Sequence, residues 1–66
     1  MKNRKILTDA ILNNTKLSFK STKSSWVERN VTIISLQSDD VCNKEFTFET
    51  YYGDRYTTFE NNIEFI

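Results

Sequence analysis

The spacing of apolar residues along the chain changes period once, and that change separates a helix from a run of strands. Ile6, Leu7, Ala10 and Ile11 recur on one face of a 3.6-residue turn. This predicts an N-terminal helix with Asn3 as its N-cap and Asn13-Asn14 as its stop, because asparagine tolerates the left-handed conformation found at helix ends. From Lys16 the period becomes two. Lys16-Leu17-Ser18-Phe19-Lys20 alternates polar and apolar as a half-buried strand does, and Ser21-Thr22-Lys23-Ser24-Ser25 is turn-like.

The next stretch, Trp26 to Gln37, is a long strand with a conflict inside it. Val27, Val31 and Ile33 share one parity, whereas Trp26, Ile34 and Leu36 share the other. One face cannot hold both sets, which predicts a bend or bulge near Ile33-Ile34. Ser38-Asp39-Asp40 reads as a turn. Glu45 to Thr50 alternates cleanly with Phe46 and Phe48 inward, and Tyr51-Tyr52-Gly53-Asp54-Arg55 holds the only glycine, predicting a tight hairpin. Tyr56 to Glu60 reads as a strand with Phe59 buried. Asn61-Asn62 is placed to supply a two-residue hairpin before Ile63-Glu64-Phe65-Ile66. The expected fold is α+β: a short N-terminal helix and about five antiparallel strands, forming a small bent sheet or an SH3/Sm-like barrel. The whole of 1–66 reads as a single small domain.

The order of elements resembles the Sm-like, SH3-type barrel of the WYL domain family. Ile6 to Phe19 looks like that family's helix running into its first strand, Arg29-Asn30-Val31 like the entry to the second, and Tyr56 to Ile63 like the closing strand. The Trp-Tyr-Leu signature itself is absent, with Phe46-Thr47-Phe48 nearest to it. Ile33 stands where a proline is usual, and Thr57 where a characteristic arginine would be unless Arg55 is read as shifted. The resemblance implies the fold; the binding residues do not carry over.

Composition narrows the chemistry. Sixty-six residues with 38% hydrophobic content bury little surface, but nine aromatic side chains can fill a compact core. There is no histidine, so acid/base, triad or metal chemistry built on histidine is excluded. Cys42 is the sole cysteine and lies beside Asp39, Asp40 and Lys44, a setting that does not favour a reactive thiolate. The expectation is a non-enzymatic protein without metal or cofactor. No apolar stretch reaches signal-peptide or membrane-span length, and the expected location is the cytoplasm. The richness in asparagine and lysine is common in AT-rich genomes, phages and mobile elements among them.

Charge is divided between the two halves. Residues 1–30 carry seven basic groups (Lys2, Arg4, Lys5, Lys16, Lys20, Lys23, Arg29) against Asp9 and Glu28. Residues 31–66 carry seven acidic ones against Lys44 and Arg55. Such halves can pair within a fold, join copies of the chain in a homo-oligomer, or face a partner. Arg4 and Lys5 lie in the first helical turn, where the helix dipole disfavours cations; they are either a solvated end or a basic patch.

Two contact surfaces follow. Tyr51, Tyr52, Asp54, Arg55 and Tyr56 cluster around the glycine turn, and Tyr and Arg dominate protein-interface hot spots. With Trp26 as a second anchor, they are the candidate site of a protein-binding regulatory module, for instance a phage or mobile-element accessory protein that modulates a host protein. The alternative is a WYL/Sm-like regulator that binds nucleic acid or nucleotide. It would use Lys16, Lys20, Lys23 and Arg29 for phosphates and Trp26 for base stacking, against a zero net charge that does not favour it.

Overall fold

The computed structural model describes residues 2–38 and 44–66. Helix α1 (Lys2–Asn13) is followed by strands β1 (Leu17–Ser21), β2 (Val27–Leu36), β3 (Glu45–Glu49) and β4 (Arg55–Phe59). A one-turn 3-10 helix (Glu60–Asn62) and strand β5 (Ile63–Phe65) complete the order. The expected α+β class holds: one N-terminal helix, then five antiparallel strands in one sheet of order β4-β3-β2-β1-β5. The sheet is open rather than closed into a barrel, with β4 and β5 as its two edges. Asp39, Asp40 and Cys42 lie outside the described residues, and with them all but Ser38 of the turn expected at Ser38-Asp39-Asp40.

Helix α1 ends where asparagine permits it. Asn14 takes a φ of 53°, the Thr15 N–H reaches back to the Ala10 carbonyl at 2.9 Å, and the Asn14 N–H to that of Ile11 at 3.4 Å. These are the two bonds of a Schellman stop. The buried face carries Leu7 and Ala10, but Ile11 is left partly exposed at the helix's outer side. Asn3 is not a cap. It lies within the helix, and its amide nitrogen donates to the carbonyls of Glu60 at 2.9 Å and Ile63 at 3.1 Å.

Arg4 is neither a frayed end nor a free basic patch. Its guanidinium bonds the carboxylate of Glu60, a residue only 1% exposed, and the carbonyl of Gln37. The Glu60 N–H in turn bonds the Lys44 carbonyl at 2.9 Å. The first turn of α1 is thus tied to the 3-10 turn by charge and by hydrogen bonds. The unfavourable dipole position of Arg4 is offset by a carboxylate that would otherwise be buried alone.

Strand β2 carries the curvature of the sheet. Its first half pairs with β1 and its second with β3, and the expected irregularity is present: Ile33 faces Phe48 while Ser35 faces Thr47, leaving Ile34 as the extra residue. A second bulge was not foreseen. Leu17 pairs with Val31 and Phe19 with Glu28, so β2 holds one residue too many there; Asn30 sits at φ 55° with its N–H on the Ser18 hydroxyl at 3.1 Å. Each bulge moves the inward positions by one. The concave face therefore reads Glu28, then Val31 and Ile33, then Leu36.

The core is aromatic. Phe19 is fully buried and meets Trp26, Phe46, Phe48 and Phe65 edge-on, at centroid separations of 5.1 to 6.2 Å. Such edge contacts contribute about 0.5–1.5 kcal/mol each beyond area burial. Leu7, Val31, Ile33 and Ile63 fill the space around these rings.

Two expectations near the C-terminal strands are corrected. Phe59 is 40% exposed, because β4 pairs Tyr56 with Phe48 and Thr58 with Phe46, which turns the even-numbered residues inward and Phe59 outward. Asn61-Asn62 does not form a hairpin. It belongs to the 3-10 turn that carries the chain from β4 to the far side of the sheet, where β5 pairs with β1. Positive φ among the described residues occurs instead at Asn14, Asn30 and Gly53.

Candidate functional site

The hairpin between β3 and β4 is built as its sequence requires. Thr50 faces Asp54: the Thr50 N–H bonds the Asp54 carbonyl at 2.8 Å, and the Gly53 N–H bonds the Thr50 carbonyl at 3.0 Å. The Asp54 N–H also reaches the Thr50 hydroxyl at 3.2 Å. Three residues, Tyr51-Tyr52-Gly53, span the turn, and Gly53 adopts φ 92°, a conformation that residues carrying a Cβ resist. Buried Thr50 therefore anchors a tip whose two tyrosines project outward. Tyr51 is 82% and Tyr52 59% exposed, with their rings stacked edge to face at 4.8 Å. Below the tip, Arg55 holds Glu49 at 2.9 Å on the outer face of the hairpin.

Alternation sends Tyr56 to the other face, where its ring leans on Phe48 at 5.9 Å. There it meets the opposite side of the bent sheet. Trp26 just before β2, Glu28 near its start, Phe48 from β3, and Tyr56, Thr57 and Thr58 from β4 line a cleft of about 430 Å³, within the range of small-ligand sites. Trp26 rests edge-on against Phe19 at 6.1 Å and keeps about a third of its surface open. The Tyr56 hydroxyl is held above the ordinary tyrosine pKa, chiefly by the Asp54 carboxylate, then by desolvation, by Tyr52 and by Glu28. Trp26 and Tyr56, thirty positions apart in sequence, thus line one cleft.

Sequence reasoning placed Tyr51, Tyr52, Asp54, Arg55 and Tyr56 together and left Trp26 as a separate anchor; the structure brings Trp26 to Tyr56. It also adds Glu28, which carried no signal because the Asn30 bulge is what turns it inward. The basic set is not gathered in the same way. Lys16 bonds the Thr32 hydroxyl at 2.8 Å, and Lys20 stands 3.7 Å from Glu64 and pairs across the strands with exposed Val27. Both lie away from the concave side on which Trp26 meets Phe19. Lys23 is exposed in the turn closed by the Ser21 hydroxyl, and Arg29 is exposed at the bulge.

No helix among the described residues is long and apolar enough to cross a membrane. No family model, curated protein or solved structure matches the chain.

Proposed function

We propose that the chain is a non-enzymatic, protein-binding regulatory module whose contact surface is the tyrosine-tipped hairpin and the cleft beside it. The observation that carries this reading is the pair Tyr51 and Tyr52, both largely exposed at the tip of a hydrogen-bonded turn. Two rings in edge-to-face contact on a hydrogen-bonded tip offer large contact area at low ordering cost, the property that makes tyrosine prominent at interfaces. Trp26 and Tyr56 extend that apolar surface, and Asp54 and Arg55 supply a polar rim.

The finer architectural reading, an Sm-like or SH3-type fold akin to the WYL domain, is supported by the order of elements. A helix leads a four-strand meander, and a 3-10 turn returns the fifth strand to the first.

The test is affinity capture of partners from lysate, with and without nuclease, using the unaltered protein and the double variant Tyr52→Ala, Arg55→Ala. A protein retained after nuclease by the unaltered chain and lost by the folded variant is the expected result. Retention by both would move the contact surface elsewhere. Recovery of nucleic acid, with protein partners lost on nuclease treatment, would replace this reading with binding through Lys16, Lys20, Lys23 and Arg29.

A further inference from the structure

The cleft is aromatic on its walls and acidic in its polar groups. Trp26, Phe48 and Tyr56 contribute rings, Glu28 contributes a carboxylate, and no cation is among its lining residues. Glu28 forms no ion pair among the described residues, and it acts together with Asp54 on the Tyr56 hydroxyl. The nearest arginine on the hairpin, Arg55, is committed to Glu49 on the outer face. Aromatic faces and an unpaired carboxylate together attract a cation and repel phosphate. A guanidinium fits best, because it is planar, stacks on rings and bonds a carboxylate through two parallel N–H groups.

Beside the cleft runs an open edge. Strand β4 pairs with β3 on one side, and its other side ends the sheet. An added antiparallel strand would pair with β4 as β3 does, and residues directly opposite one another share a face. Tyr56 and Thr58 face the cleft, so a partner residue opposite either of them would send its side chain into it, while its chain neighbours would point away.

We infer that this site takes an arginine side chain, presented by an extended segment of a partner protein that adds to the edge of β4. The inference deepens the protein-binding reading and rests on it. Glu28 receives the guanidinium, Trp26 and Tyr56 flank it, and the β4 backbone aligns the segment.

Trp26 is the only tryptophan in the chain, so its fluorescence reports occupancy of the cleft without a label. The probe is a blocked peptide, Thr-Val-Thr-Arg-Thr-Val-Thr, compared with versions carrying lysine or glutamine at the centre. The expected result is a saturable change in Trp26 emission with the arginine peptide, accompanied by slowed amide exchange along β4. Affinity should be weaker by roughly tenfold or more for the glutamine peptide, and for the arginine peptide against Glu28→Gln. Equal affinity for the arginine and glutamine peptides would overturn the inference. So would no saturable response, or tighter quenching by oligothymidylate than by the arginine peptide. The peptide series on the unaltered protein does not depend on whether the Glu28→Gln variant folds. The two readings fail separately: the arginine inference falls on these peptides, whereas the hairpin reading falls on the capture experiment, if capture survives loss of Tyr52 and Arg55 or depends on nucleic acid.

Discussion

The helix end and the hairpin end of this small sheet treat polar and aromatic groups in opposite ways. At the helix end a carboxylate is buried, and everything around it is satisfied: Arg4 on Glu60 and Gln37, Asn3 on two carbonyls, the Glu60 N–H on Lys44. At the hairpin end two tyrosines stand in solvent, a tryptophan is part open, and Glu28 has no cation partner among the described residues. The contrast separates charge that holds the fold from chemistry left available to something else. Part of the division between basic and acidic halves belongs to the first category, since both Arg4–Glu60 and Lys20–Glu64 join one half to the other.

The comparison can be broken most severely at the helix end. Arg4→Ala strands a buried carboxylate, a change that costs about 3–5 kcal/mol, against a net stability of roughly 3–5 kcal/mol for a core of this size. Urea titration should show the variant largely unfolded. The double change Arg4→Met with Glu60→Leu should recover most of that loss, because a well-packed apolar pair replaces a buried ion pair at little cost. If Arg4→Ala unfolds at the same urea concentration as the unaltered chain, the latch does not hold the fold.

At the hairpin end the expected effects are smaller. Gly53→Ala meets open space, so its cost is conformational alone, about 1–2 kcal/mol for a side chain at positive φ, read as a lower thermal midpoint. Tyr51→Ser with Tyr52→Ser should change stability by less than about 0.5 kcal/mol, as exposed positions do, while partner capture is lost. A large loss of stability there would mean that the tip serves the fold and would erase the contrast between the two ends.

The smallest effect is a titration. Because the Tyr56 pKa is raised in the folded chain, the folded state holds that proton more tightly than the unfolded one. Its contribution is fully present below the ordinary tyrosine pKa and is lost as pH rises through the raised value. Asp54→Asn should lower the Tyr56 pKa more than Glu28→Gln does, in keeping with the larger influence of Asp54, as followed by the ring signals of Tyr56.

Legibility in the sequence followed the range of the interaction. Leu7 and Ala10 announced the helix through local period, Asn14 its stop, and Gly53 its turn. The Ile34 bulge was visible because apolar residues on both sides of it disagree in parity. The Asn30 bulge was hidden: before it, the inward position is held by Glu28, a residue that reads as outward. Glu60 misled in the same way. A strand ending in glutamate reads as exposed, and only Arg4, fifty-six positions away, explains its burial. The tyrosine tip is a local feature and was read from the chain. The cleft was not, since it exists only once two bulges have bent β2 until Trp26 and Tyr56 share one hollow.

The latch between α1 and the 3-10 turn also sets an order of events during synthesis. Helix α1 emerges first, but the carbonyl that Asn3 holds lies fifty-seven residues later. At about 5–20 residues per second, the ribosome leaves the helix without that partner for roughly 3–11 s. Strand β1 waits for β5 over a shorter span, Lys20 for Glu64 forty-four positions later, its own edge open meanwhile. Until then the growing sheet has an unguarded flank, and Glu60 is the residue whose arrival lets the helix lock down.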